Sequence, residues 1–153
     1  MNAEIINPFI SGTLKVLETS ASVESRPLKL YIKKDQTAAG DISGLINLSG
    51  ELKGTISVTF TKEAILAIVS KMFMEEMTEL NNDIQDAVGE ISNQISGQAN
   101  VKFVEIGKSL KAALSKVYMG KNHVIDHIKS HPILAIPFKT KDGKFIIEVS
   151  FEK

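Results

Sequence analysis

Apolar and polar positions recur along this chain with two different periods, and the switches between them mark out its elements. Ile6, Phe9, Ile10, Leu14 and Leu17 repeat at helical spacing and predict a helix over residues 3–19. The small, polar stretch 20–26, closed by Pro27, predicts a loop. Leu28, Leu30 and Ile32 then alternate with Lys29, Tyr31 and Lys33, as in a strand. A second strand is expected over Ile42–Leu48, with a tight turn at Ser49-Gly50-Glu51. From Leu52 to Phe60 the alternation is regular, with Leu52, Ile56, Val58 and Phe60 on one side and Lys53, Thr55, Ser57 and Thr59 on the other. That pattern predicts a half-buried antiparallel strand with a polar outer face.

Thr61 is placed to cap a helix reaching about Met74, whose buried stripe is Ile65, Ile68, Val69 and Met72. Glu75, Glu76, Asn81 and Asn82 separate it from a longer helix, Asp83 to about Val104. Residues 107–132 show no clear period. Ile133–Phe138 and Phe145–Phe151 read as a hairpin across Lys141-Asp142-Gly143-Lys144. Pro137 puts the first of these strands at an edge or marks an interruption in it. Strands in antiparallel groups with helices between them predict an α+β fold, as a single domain over 1–153. Glu4-Ile5-Ile6-Asn7 echoes Glu90-Ile91-Ser92-Asn93, a hint of an internal pseudo-repeat, although Asn7 before Pro8 reads more simply as an N-cap.

Composition narrows the function. The chain has 153 residues, no cysteine and a formal net charge of zero. Thiol catalysis and disulfides are excluded, and the charge balance argues against a general nucleic-acid binder. The basic patches, Lys33-Lys34 and Lys121–Lys129, read as solvated surface. The N-terminal residues lack the pattern of a secretory signal, and no apolar run approaches a membrane span, so a cytoplasmic location is expected.

The long helix carries the most informative chemistry. Ile84, Val88, Ile91 and Ile95 form its core stripe, while Asp86, Glu90, Asn93 and Gly97 cluster on the opposite side. A carboxylate and a carboxamide one turn apart can act on one ligand. No Lys or Arg occurs between Asp83 and Val101, so Asp86 and Glu90 lack an i+4 cation. Gly89, Gly97 and Asn93 all weaken a helix interior, which a helix selected for stability alone would avoid. Elsewhere, His123, His127 and His131 recur every four residues, but His131-Pro132 breaks the helix that a metal site would need. Ser92 and Ser96 have no nearby histidine in sequence, and the methionines at 72, 74 and 77 read as core fillers or contact surface.

Asp86-x3-Glu90-x2-Asn93 resembles the signature of the CheC/CheX/FliY phosphatases of bacterial chemotaxis. The opening Ile6-x-x-Phe9-Ile10 helix, Gly54-Thr-Ile-Ser-Val-Thr-Phe60, Thr61-Lys-Glu63 and Gly89-Glu90-x-x-Asn93 follow in that family's order. The resemblance spans nearly the whole chain and is closest to the CheX branch. It implies a CheC/CheX-like fold, a homodimer joined through its sheets, and hydrolysis of the aspartyl phosphate on a CheY-like receiver domain. By the same resemblance, Asn93 orients the attacking water and Glu90 pairs with the receiver's lysine. Asp86, Gly89, Gln94 and Gly97 are then expected at the receiver's surface. The chain itself needs no cofactor, since Mg2+ belongs to the receiver. The family's proline, some two dozen residues beyond the asparagine and shaping the loop after the helix, is Lys116 here. That departure keeps open a non-catalytic module that docks a receiver or flagellar-switch partner on the same fold.

Overall fold

The computed structural model describes residues 3–128 and 132–152. Helix α1 (Ala3–Ala21) is followed by two short strands, β1 (Arg26–Pro27) and β2 (Tyr31–Lys33). Then come β3 (Ile42–Gly50), β4 (Gly54–Phe60), α2 (Lys62–Phe73), α3 (Asn82–Glu105), β5 (Leu110–Met119), β6 (Ile133–Lys139) and β7 (Lys144–Phe151). The strands form one seven-stranded sheet in the order β1-β6-β7-β4-β3-β5, with β2 also paired to β6. Every pairing is antiparallel. The α+β expectation and the terminal hairpin hold.

The helix ends have local causes. Thr61 accepts from the Ala64 backbone N–H and caps α2, which stops where Met74 turns left-handed at φ 53°. Asn81 caps α3 through the Ile84 N–H. Helix α1 begins a turn earlier than a cap at Asn7 would allow. Buried Ile5 and Ile6 commit that turn to the core, so Pro8 lies inside the helix and Asn7 is no N-cap.

The three helices pack on one another, and α3 lies over β3 and β5. The approach is closest at Gly44, where any Cβ would collide with the Ser92 hydroxyl, so glycine lets α3 settle onto the sheet. Ser92 itself donates to the Val88 carbonyl, 2.8 Å away. Ile84, Val88, Ile91 and Ile95 are all buried in the core, as their spacing predicts.

Three further expectations are corrected. The predicted strand over 28–33 shortens to β2, with Leu30 before it and Ile32 within it both exposed and the Lys33 ammonium turned inward to Glu148. Strand β4 is buried along its whole length, so its polar face is covered rather than exposed to solvent. Residues 121–128 cross that side as a strap and meet Thr55 and Ser57 with His127. Third, the region that shows no period contains β5, and Lys116 lies within this strand rather than in a loop. Leu45 pairs with Lys116 and Ile46 with Leu114, so Ser115 is the extra residue of a bulge. Pro137 interrupts pairing as expected: its carbonyl accepts from Leu28 N–H at 2.8 Å, between the β1 and β2 ladders. The N–H and C=O of one strand residue point to the same side, so the missing N–H of Pro137 costs the β7 ladder nothing.

Candidate active site

Helix α3 presents Asp86, Glu90, Asn93 and Gly97 together on its exposed side, opposite the buried isoleucines. The rigid anchoring of the other side makes this a fixed platform. Asn93 and Asp86 form no side-chain hydrogen bond with any described residue, so the Asn93 amide keeps its donors and its acceptor for an incoming molecule. Glu90 accepts one bond, from Gln94 Nε2 at 3.3 Å. Gln94 in turn accepts from the Ser20 hydroxyl of α1, also at 3.3 Å. Gln94 is half-buried and lies one turn beyond Glu90, toward α1.

Gly97 is open: no heavy atom lies within 4 Å of where its Cβ would be. A groove of about 370 Å³ runs beside it between α1 and α3, lined by Lys15, Val16, Thr19, Ser20, Gln94 and Gly97 among others. Gly89 points to the flank, where a Cβ would make ordinary contact with Leu114 and Val117 of β5 at 3.7–3.8 Å. Strand β5 thus borders the face through Leu114 and Val117, whereas Lys116 turns to the other side of the sheet: it pairs with Leu45, and its ammonium lies 4.8 Å from the ring centre of Tyr118, which stacks on His123 of the strap. Ser20 is the residue that pattern reading missed. It falls in a stretch read as loop, and α1 extends through it to Ala21.

The Glu4–Asn7 echo is built differently. Glu4 pairs with Lys108 at 3.4 Å, and the Asn7 backbone carbonyl accepts from the Ser11 hydroxyl. The histidines form no metal centre among the described residues, where no group of three His, Asp or Glu could hold an ion. His131 lies outside the described residues. His123 donates from Nδ1 to the Gly120 carbonyl and places Nε2 2.6 Å from Ser43 Oγ. His127 meets Thr55 at Nδ1 (2.7 Å) and Glu148 at Nε2 (3.1 Å). This hydroxyl–imidazole–carboxylate row has the composition of a nucleophilic triad. Its side chains are fully buried on the face of the sheet away from the helices, so no substrate can reach it.

No helix among the described residues is long and apolar enough to cross a membrane. The chain is similar to the chemotaxis protein CheX from Vibrio vulnificus, with 40% identity, a TM-score of 0.88, and 98% of this chain and 100% of that one covered. It is 23% identical over 123 residues to the CheY-P phosphatase CheX of Thermotoga maritima, covering 80% of this chain and 79% of that protein. The same fold, at 20% identity and a TM-score of 0.74 over 97% of both chains, occurs in a CheX solved as the CheX-CheY-BeF3-Mg2+ complex from Borrelia burgdorferi. The model of the family described as chemotaxis phosphatase CheX matches residues 42–139, which include the exposed face of α3 and the strands beneath it. This chain belongs to the chemotaxis phosphatase CheX family.

Proposed function

We propose that this chain hydrolyses the aspartyl phosphate of a CheY-like receiver domain, with the exposed face of α3 as the part that enters the receiver's site. The observation that carries this is the pairing of a free Asn93 amide with a Glu90 carboxylate one turn away on a helix locked to the sheet. A receiver that brings its own Mg2+ and lysine leaves one task to its phosphatase, which is to place a water in line with the leaving oxygen. Asn93 accepts from and donates to that water and holds it opposite the acyl oxygen. Water adds to phosphorus, the bond to the aspartyl oxygen breaks, and inorganic phosphate and the free carboxylate are released. Asn93 is no general base, because an amide does not take up a proton at these pH values. Glu90 pairs with the receiver's lysine and sets the register of the two proteins. Asp86, Gly89 and Gly97 lie at the rim. The chain acts as a single cytoplasmic domain and as a homodimer joined at sheet edges. Exposed Leu30 and Ile32, in and beside edge strand β2, support that arrangement.

One observation favours a second reading. Lys116, with its side chain on the strap side of β5, takes the position of the family's proline, and the loss of that proline suits a module that docks a receiver or switch component without hydrolysing it. Phosphate release from candidate phosphorylated receivers separates the two. Asn93→Ala is expected to lower the rate by about 100-fold, with the fold and receiver affinity retained. If the wild type speeds release from none of the receivers it binds, docking replaces catalysis.

A further inference from the structure

Resting on that phosphatase reading, we propose that Gln94 is a positioning residue for Glu90, and that Ser20 of α1 anchors it. The direction of the relay follows from chemistry. A carboxylate can only accept, so the Gln94 amide must turn its NH2 toward Glu90 Oε1, 3.3 Å away. That leaves the amide oxygen for Ser20, whose hydroxyl donates to it across 3.3 Å. The relay therefore runs one way, from the last turn of α1 through Gln94 to the carboxylate.

Its base is firm. Helices α1 and α3 approach closely at Gly12, where a Cβ would lie only 3.2 Å from Gln98 Cβ. Val16 and Leu17 bury the same stretch of α1 in the core. Ser20 and Gln94 are both part-buried, whereas Glu90 is exposed and would otherwise sample several rotamers. Holding Oε1 restricts the carboxylate before the receiver arrives and leaves Oε2 for the incoming lysine. The water-holding amide of Asn93 takes no part in the relay, so the effect belongs to binding and not to the chemical step.

The test compares Gln94→Met, which keeps length without hydrogen bonds, with Ser20→Ala, Ser20→Thr and Glu90→Ala. Each is measured by steady-state release of phosphate and by affinity for a receiver loaded with beryllofluoride. Gln94→Met is expected to raise KM and Kd about three- to tenfold with kcat within about twofold of wild type. Ser20→Ala shifts both the same way by less, and Ser20→Thr restores them. In the Glu90→Ala background, Gln94→Met adds nothing further, an outcome that a merely structural role would not give. The inference is overturned if Gln94→Met and Ser20→Ala match the wild type, or if the effects of Gln94→Met and Glu90→Ala add. A wild type that neither hydrolyses nor binds any receiver sinks the phosphatase reading itself, and the relay with it. Normal wild-type turnover with unaffected Gln94 variants sinks the relay alone.

Discussion

Glu148 carries a carboxylate into the middle of β7, with Lys33 2.9 Å from one oxygen and His127 3.1 Å from the other. Burial alone would raise its proton affinity. The hydrogen bonds from His127 and Lys33, and their charges, outweigh burial and hold the group below the ordinary carboxylate range. The unfolded chain therefore binds this proton more readily than the folded one. The stability Glu148 contributes is complete above the ordinary carboxylate range and is lost as pH falls through the lowered folded value. Glu148→Gln should cost about 3 kcal/mol near neutrality, because Lys33 is left without its buried partner. It should also flatten the acid limb of the stability curve. Urea unfolding from pH 7 down to pH 3 checks this, and parallel curves for wild type and variant would refute it. The sequence could not reveal this cluster. His127 meets Thr55 72 residues back along the chain and Glu148 21 residues on, and no local pattern encodes such distances. The alternation in β4 reported correctly which side chains share a face, but it could not report that a strap covers the polar one.

Among the elements, α3 was the most legible, because four isoleucine and valine positions in one stripe leave little choice of buried side. Strand β5 was the least. It lies at the sheet edge, most of its side chains are partly or wholly exposed, and the bulge at Ser115 shifts its phase midway. A period-2 signal does not survive that combination. The same contrast of packing separates the glycines. Gly44 is required by contact with α3, whereas Gly97 is required by nothing in the fold. Gly97→Ala should accordingly stabilise the helix by about 1 kcal/mol, raising Tm. If a receiver packs against this stretch of α3, the added methyl should raise KM at the same time. A variant with higher Tm and unchanged KM would remove Gly97 from the docking surface.

At the scale of the whole molecule, the sheet is enclosed by unlike partners. Helices cover one face, and on the other the 121–128 strap and the chain around Lys33–Ala38 close over the polar side chains together. The backbone ties between these two segments are Ala38 N–H to the His123 carbonyl and Ile125 N–H to the Gln36 carbonyl, each 2.8 Å. The sequence order placed the helices and the hairpins, but this enclosure depends on segments with no periodic signature.

The strap also has a consequence for the order of folding. Its contacts have value only after β3, β4 and β7 have paired, since Ser43, Thr55, Ser57 and Glu148 come from three different strands. Closing such distant segments early would cost chain entropy with no sheet to receive them. Strap closure should therefore follow the rate-limiting step. His127→Ala is expected to speed unfolding while leaving the folding rate nearly unchanged, the behaviour of a low-φ position. Stopped-flow chevrons would display this as a shift confined to the unfolding arm, and an equal slowing of refolding would place the strap in the nucleus instead. The molecule's far face then acts as a clasp that governs how long the native state lasts, with little influence on how fast it is reached.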